Sequence, residues 1–248
     1  MSEKPRTLWQ RFERWMSETG KQLGLAIFLV LLFRSSVIEP YKIPSGSMIP
    51  TLFIGDHIFV SKFAYGLKVP FTDYLLDAPI YFGKQALPER GDIIVFRYPR
   101  DESMNFIKRV VGLPGDEVSM RDKVLYINGK PVGQAPLQSE ELSRGIETDH
   151  DRAVMKMYEE DLVGRKHPVL YDETTVLGSD YGPVRVPEGR LIVMGDNRDR
   201  SNDSRGWGFV PLENVRGKAL VIWMNVVFSL EDKVNFRLGL DRIGKILK

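Results

Sequence analysis

Twelve consecutive uncharged residues, Gln22–Phe33, lie between Lys21 and Arg34, and a run this apolar has to leave water. At about 1.5 Å per residue, twelve residues fall short of a bilayer core of roughly 30 Å. Extended back through Gly20 and Thr19 and on through Arg34 to Ile38, the stretch reaches about twenty residues, the length of a spanning helix, with Arg34 placed to snorkel to the interface. Three fates compete for such a run: a cleaved signal peptide, a buried core helix and an uncleaved membrane anchor. A cleaved signal peptide wants small residues directly after the run, but Arg34 follows at once and Ser35-Ser36 is a poor A-x-A site. Basic residues before the run and a proline-rich stretch after it favour an anchor, taken as residues 22–38. By the positive-inside rule, Lys4, Arg6, Arg11, Arg14 and Lys21 then hold residues 1–21 in the cytoplasm, and everything after Ile38 lies outside.

Beyond the anchor the chain changes character. Residues 39–50 hold three prolines and a glycine, which excludes a regular helix and predicts an extended segment with a tight turn. Short runs rich in β-branched and aromatic residues follow: His57–Phe63, Asp92–Tyr98, Phe106–Val111, Lys123–Ile127, Arg190–Met194 and Lys218–Val227. Pro114-Gly115, Asn128-Gly129 and Pro187-Glu188-Gly189 punctuate them, and Asn128-Gly129 is a strong hairpin signal. The expected fold is mostly β, with a weak helical period only around Asp151–Leu162. Residues 64–89, broken by glycines and prolines, read as an excursion between strands, and the more charged residues 119–187 as an inserted subdomain. That leaves 39–118 and 188–230 as two parts of one core, and 231–248 as a basic, partly amphipathic tail that either touches a membrane surface or stays solvated.

Composition removes several chemistries. With no cysteine there is no thiol nucleophile, no cysteine zinc site and no disulfide. The three histidines, His57, His150 and His167, form no H-E-x-x-H pattern, and a net charge of +2 does not describe a nucleic-acid surface. A serine chemistry is one candidate, although an S-G-S turn by itself is more often just a loop. In P-S-G-S-M-I-P-T, Gly46 lets the backbone turn beside Ser47, so that the Ser47 N–H and the Ser45 hydroxyl face a developing oxyanion. The G-x-S-x-G and S-x-x-K patterns that supply a base elsewhere are missing. In N-F-I-K-R-V-V-G, strand alternation puts Lys108 on one face with Phe106 and Val110, where burial lowers a lysine pKa toward the range of a general base. An edge lysine that snorkels to water is the plainer account of that segment. A third stretch, G-D-N-R-D-R-S-N-D-S-R-G-W-G (195–208), is dense in carboxylates, guanidiniums and hydroxyls. Counted from Asp199, it has Ser204 and Val210 where a calcium loop needs glycine and glutamate, so it reads as a network that rigidifies a site.

These segments, with G-D-x-I-x-V-x-K-x-A-Y-G, G-D-I-I-V-F and I-K-R-V-V-G-L-P-G-D in order between them, resemble the bacterial type I signal peptidases, serine proteases with a Ser/Lys dyad. The resemblance implies Ser47 as nucleophile, Lys108 as general base and Ser45 in the oxyanion hole. It implies Ser201 as the hydroxyl that holds the lysine amine, Asp196 with Arg109 and Asp203 with Arg205 as supporting pairs, and Ile43, Met48, Leu52 and Ile107 as walls of small pockets that select A-x-A. It further implies a β-rich catalytic core with an inserted β subdomain after one transmembrane helix. The enzyme would sit single-pass in the bacterial inner membrane with its catalytic domain on the periplasmic side. Secretory preproteins and the lipid bilayer would be its partners, with no nucleic acid, metal or cofactor. Many members from Gram-negative bacteria have two transmembrane helices where one is expected here, and Phe106 stands where a tyrosine is common. Self-cleaving repressors share the dyad, but an apolar run occupies the place of their DNA-binding helices. A Ser–His enzyme using His57 and a tethered β domain without chemistry are two further rivals.

Overall fold

The computed structural model describes residues 8–72, 76, 79–146, 148–175, 180–229 and 235–247. It is mostly β, with one long helix at the start. Helix α1 (Leu8–Ser36) contains a 22-residue apolar stretch, Trp15–Ser36, with mean hydropathy 1.3, most of it unburied by the rest of the protein. At about 1.5 Å per residue that stretch is about 33 Å long, enough by length and composition to cross a bilayer. Leu25, Ile27, Phe28, Leu29 and Val30 are exposed along it. The apolar helix ends at Ser36, short of the Ile38 expected as the end of an anchor, because Ile38 already begins strand β1 (Ile38–Lys42). Ser35 is buried and accepts a hydrogen bond from the Phe71 N–H, which ties the helix end to the excursion.

The core is an antiparallel sheet. Strand β2 (Asp56–Ser61) pairs with β1 and with a long strand, Val215–Ser229, which next pairs with Ile93–Tyr98. Ile93–Tyr98 pairs with the strand Asp101–Gly112, and Asp101–Gly112 with Arg190–Met194. Val210–Pro211 and Asn235–Leu238 add short edges. Both faces are covered, which is why Ile93–Phe96 reads as an unbroken apolar run. Ile93 and Val95 pack with Ile43, Met48, Leu52, Ile58 and Ile222 on one side, while Ile94 and Phe96 pack with Val110, Leu191, Val193 and Trp207 on the other.

Gly112 and Ile192 are partners in the sheet although 79 residues separate them in sequence. The chain between builds two sheets of its own: Tyr181–Arg185, Glu117–Arg121, Val124–Ile127 and Lys130–Pro131 in one, and Gly133–Pro136, Met155–Asp161 and Lys166–Asp172 in the other. Asn128 and Gly129 make the two-residue hairpin expected of them, both at positive φ (52° and 75°). The weak helical period around Asp151–Leu162 holds only as far as Val154. Thr148 caps a short helix, Asp149–Val154, and the chain then becomes a strand with Met155 and Met157 buried on alternate positions. The excursion 64–89 carries a small hairpin, Leu67–Lys68 with Tyr81–Phe82, and part of it lies outside the described residues.

The described part of the C-terminal tail is docked into the core. Leu247 joins the cluster around Ile58, and Arg242, 3% exposed, reaches Asp56 through Nε at 3.0 Å and through Nη2. Asn225 Nδ2 (2.7 Å) and the Phe53 N–H (2.8 Å) also donate to that carboxylate. Arg242→Ala leaves the fully buried Asp56 without its cation, and we expect a loss of about 3 kcal/mol of unfolding free energy, read from urea midpoints.

Candidate active site

Proline on either side confines residues 44–50 to a tight turn, and Gly46–Met48 forms a single 3-10 turn there. Ser47 sits in it half-buried, above Met48 and Leu52, which are wholly buried and fix the turn to the core. Lys108 comes from the middle of the strand Asp101–Gly112 and is 4% exposed. Its Nζ donates to Ser47 Oγ at 2.7 Å and to the Ile107 carbonyl at 2.8 Å, and lies 5.5 Å from the centre of the Phe106 ring. Burial among these groups lowers the lysine pKa to about 8, against the opposing pull of the Asp203 and Asp196 carboxylates. A hydroxyl is thus hydrogen-bonded to an amine that can be neutral near physiological pH, without histidine. His57 is elsewhere on β2, edge-on to Trp223 at 5.7 Å, and does not line the cleft.

The loop after Arg190–Met194 closes the site. Arg109, next to Lys108 and on the opposite face of the strand, grips Asp196 with two parallel bonds, Nε–Oδ1 2.9 Å and Nη2–Oδ2 2.8 Å. Both residues are at most 1% exposed, and Thr51 Oγ1 adds a third bond to Asp196. Burial pushes the Asp196 pKa up, but Arg109 overcomes it and holds the carboxylate ionised. Asp203 pairs with Arg205 in the same fork (2.8 Å and 2.8 Å) and accepts the Gly195 N–H at 3.0 Å. Its burial also works against ionisation and is outweighed by Arg205. Ser201 is brought close, packed over Gly195, but its hydroxyl makes no hydrogen bond to Lys108.

A cleft of about 590 Å³ opens on Ser47. Ser45, Phe106, Ile107, Lys108 and Asn197 line it, so of the four expected pocket residues only Ile107 is a wall. Ile43, Met48 and Leu52, at 2%, 0% and 0% exposure, are core side chains beneath the turn. Ile146, Asp151 and Met155 of the insertion also reach the cleft. Three residues carry no signal of their own in the sequence: Thr51, Gly195 and Asn197. All three lie inside the quoted motifs, and only their contacts give them a part.

The sequence matches the model of the family described as signal peptidase, peptidase S26, over residues 16–224. Relatives include a signal peptidase I of Pseudomonas fluorescens, 40% identical and covering 94% of this chain and 80% of that protein. A second, from Pseudomonas aeruginosa, is 40% identical over 86% and 74% of the two chains. A third, from Rickettsia typhi, is 38% identical over 83% and 79%. Among solved structures, a signal peptidase I of Enterococcus faecalis is 32% identical, covers 53% of this chain and 96% of that one, and superposes with a TM-score of 0.32. With the family match running through every segment that builds the cleft, the chain belongs to the signal peptidase, peptidase S26, family.

Proposed function

We propose that this signal peptidase is a membrane-anchored serine endopeptidase that removes signal peptides from secretory preproteins after an A-x-A-like site, with Ser47 as nucleophile and Lys108 as general base. The observation that carries the reading is the 2.7 Å hydrogen bond from Lys108 Nζ to Ser47 Oγ inside a buried, apolar setting. Neutral Lys108 takes the proton of Ser47, whose Oγ attacks the scissile carbonyl. The Ser47 N–H and the Ser45 hydroxyl stabilise the oxyanion, protonated Lys108 gives its proton to the leaving amine, and water hydrolyses the acyl-enzyme. Arg109–Asp196 and Asp203–Arg205 hold the loop that closes the site, and Ser201 fills the space behind Gly195.

The −1 and −3 residues lie against Ile107, over a floor that Ile43, Met48 and Leu52 already fill. With the floor filled from beneath, a −1 or −3 side chain has no pocket to sink into there, which favours the small residues of A-x-A. The α1 stretch Trp15–Ser36 spans the bacterial inner membrane once, with the residues before Trp15 cytoplasmic and the two-part core, its insertion at 119–187 and the docked tail on the periplasmic side. The test uses the full chain in lipid vesicles and a model preprotein, with the cut mapped by mass spectrometry. One cut after A-x-A is expected, slowed roughly 100-fold when leucine replaces the −1 alanine of the substrate. Cleavage at scattered sites, or indifference to that leucine, would refute the assignment.

A further inference from the structure

Each residue of the 3-10 turn Arg198–Arg200 reaches out of the catalytic core to the insertion. Arg198 is buried and forks onto Glu160 at 2.6 Å and 2.6 Å, with the Tyr171 hydroxyl at 3.3 Å. Asp199 accepts from Lys123 Nζ at 2.9 Å and from the Asp172 N–H at 2.8 Å. Arg200 meets Asp172 at 2.9 Å and Asp151 at 2.7 Å. The residue just before this turn, Asn197, is 5% exposed and faces the other way. Its side-chain Nδ2 donates to the Gly46 carbonyl at 3.1 Å, and its own N–H donates to the Ser47 carbonyl at 3.2 Å.

The Gly46 carbonyl belongs to the same peptide group as the Ser47 N–H. A trans peptide is planar, so its C=O and N–H point in opposite directions, and whatever fixes one fixes the other. A donor on the carbonyl also polarises the amide and strengthens its N–H. We propose that Asn197 is the positioning residue for the oxyanion donor. Together with the Ile49 N–H, which donates to the same Gly46 carbonyl at 3.1 Å, it aims the Ser47 N–H by holding the far side of the Gly46–Ser47 peptide, and the insertion, through Glu160, Lys123 and Asp172, is the frame that keeps Asn197 in place. This rests on Ser47 being the nucleophile and adds to it a task for residues 119–187, which otherwise contribute only a wall of the cleft.

The test compares wild type with Asn197→Ala and with the isosteric Asn197→Asp, which cannot donate to the carbonyl. The full chain in detergent is assayed for kcat and KM, and for the binding of two peptides of one sequence: an aldehyde, which forms a tetrahedral adduct on a serine, and its unreactive amide. Both variants should lose roughly 100-fold in kcat, with KM held within about threefold, the scale of losing one oxyanion donor. Aldehyde affinity should fall by a similar factor while amide affinity is unchanged, since only the adduct carries an oxyanion. Lys123→Met should cost about fivefold in kcat and add little in the Asn197→Ala background, because both act through one peptide group. Unchanged kcat and aldehyde binding in a folded Asn197→Asp variant would overturn the proposal. So would equal losses for aldehyde and amide, which would make Asn197 a substrate contact. Cleavage by Ser47→Ala would sink the assignment of the nucleophile instead, so the two failures are distinguishable.

Discussion

Lys108→Met is expected to lower kcat/KM for a model preprotein by at least about 10⁴-fold while the protein stays folded, and Ser47→Ala to do the same. Residues that act as one unit lose nearly everything when either is removed, so the double variant should be little worse than each single. Methionine keeps the length and apolar stem of lysine and removes only the amine. The Ile107 carbonyl and Ser47 Oγ then lose a donor, but no charge is stranded. A variant retaining even a tenth of wild-type cleavage would remove Lys108 from the mechanism.

The same amine makes two signed predictions about pH. Activity needs neutral Lys108, so log(kcat/KM) should rise with unit slope below about pH 8 and level off above it. Stability follows the same proton. The lysine pKa falls from 10.5 in the unfolded chain to about 8 in the fold, so the unfolded chain binds more protons between these values, and stability rises across that window. Below pH 8 the fold carries the full cost of the burial, on the order of 3 kcal/mol at 1.36 kcal/mol per unit. Lys108→Met escapes that cost and should match or exceed wild-type stability at pH 6, with the advantage shrinking toward pH 10.5. Urea midpoints at the two pH values read it directly. A site that stabilises the protein when destroyed is one where stability has been traded for activity.

What is legible in the sequence is local. The apolar run, the Asn128-Gly129 turn and the strand Ile93–Tyr98 follow from composition and period, because each depends on neighbours a few residues away. Met155–Asp161 reads wrongly as helix because the capped helix before it lends the stretch a helical period, while the strand's own signal is two methionines two apart. Arg242 on Asp56 is unreadable: they are 186 positions apart, and a basic residue in a tail looks the same whether solvated or buried. The site is half legible. A serine turn and a lysine among apolar neighbours mark chemistry, yet neither states that they meet. Likewise Ile43, Met48 and Leu52 look identical in sequence whether they line a pocket or floor it, because only the direction of each side chain decides.

Gly195→Ala should be nearly as damaging as loss of the dyad, although glycine carries no chemistry. A methyl built on Gly195 falls well inside contact distance of Ser201 Oγ and, on its other side, of the Ser47 carbonyl oxygen. Rotation can swing Ser201 Oγ away but not Ser201 Cβ, which the methyl also crowds, and the Ser47 carbonyl belongs to the backbone of the nucleophile turn, which Asn197 and the buried Met48 hold in place. Relief therefore takes backbone movement on both sides of Gly195, the Ser47 turn included, and a displacement of Ser47 near 1 Å costs about 100-fold or more in rate. We expect a drop of about 10³-fold in kcat/KM and roughly 1–3 kcal/mol of stability, the usual cost of forcing a methyl into a filled interior. Gly206→Ala is the control: its methyl would meet only Asn202 Oδ1 at 3.7 Å, so activity should stay within about twofold of wild type. If Gly195→Ala cleaved normally, the turn would be softer than its contacts imply, and the placement of Ser47 would have to be enforced by the bound substrate instead.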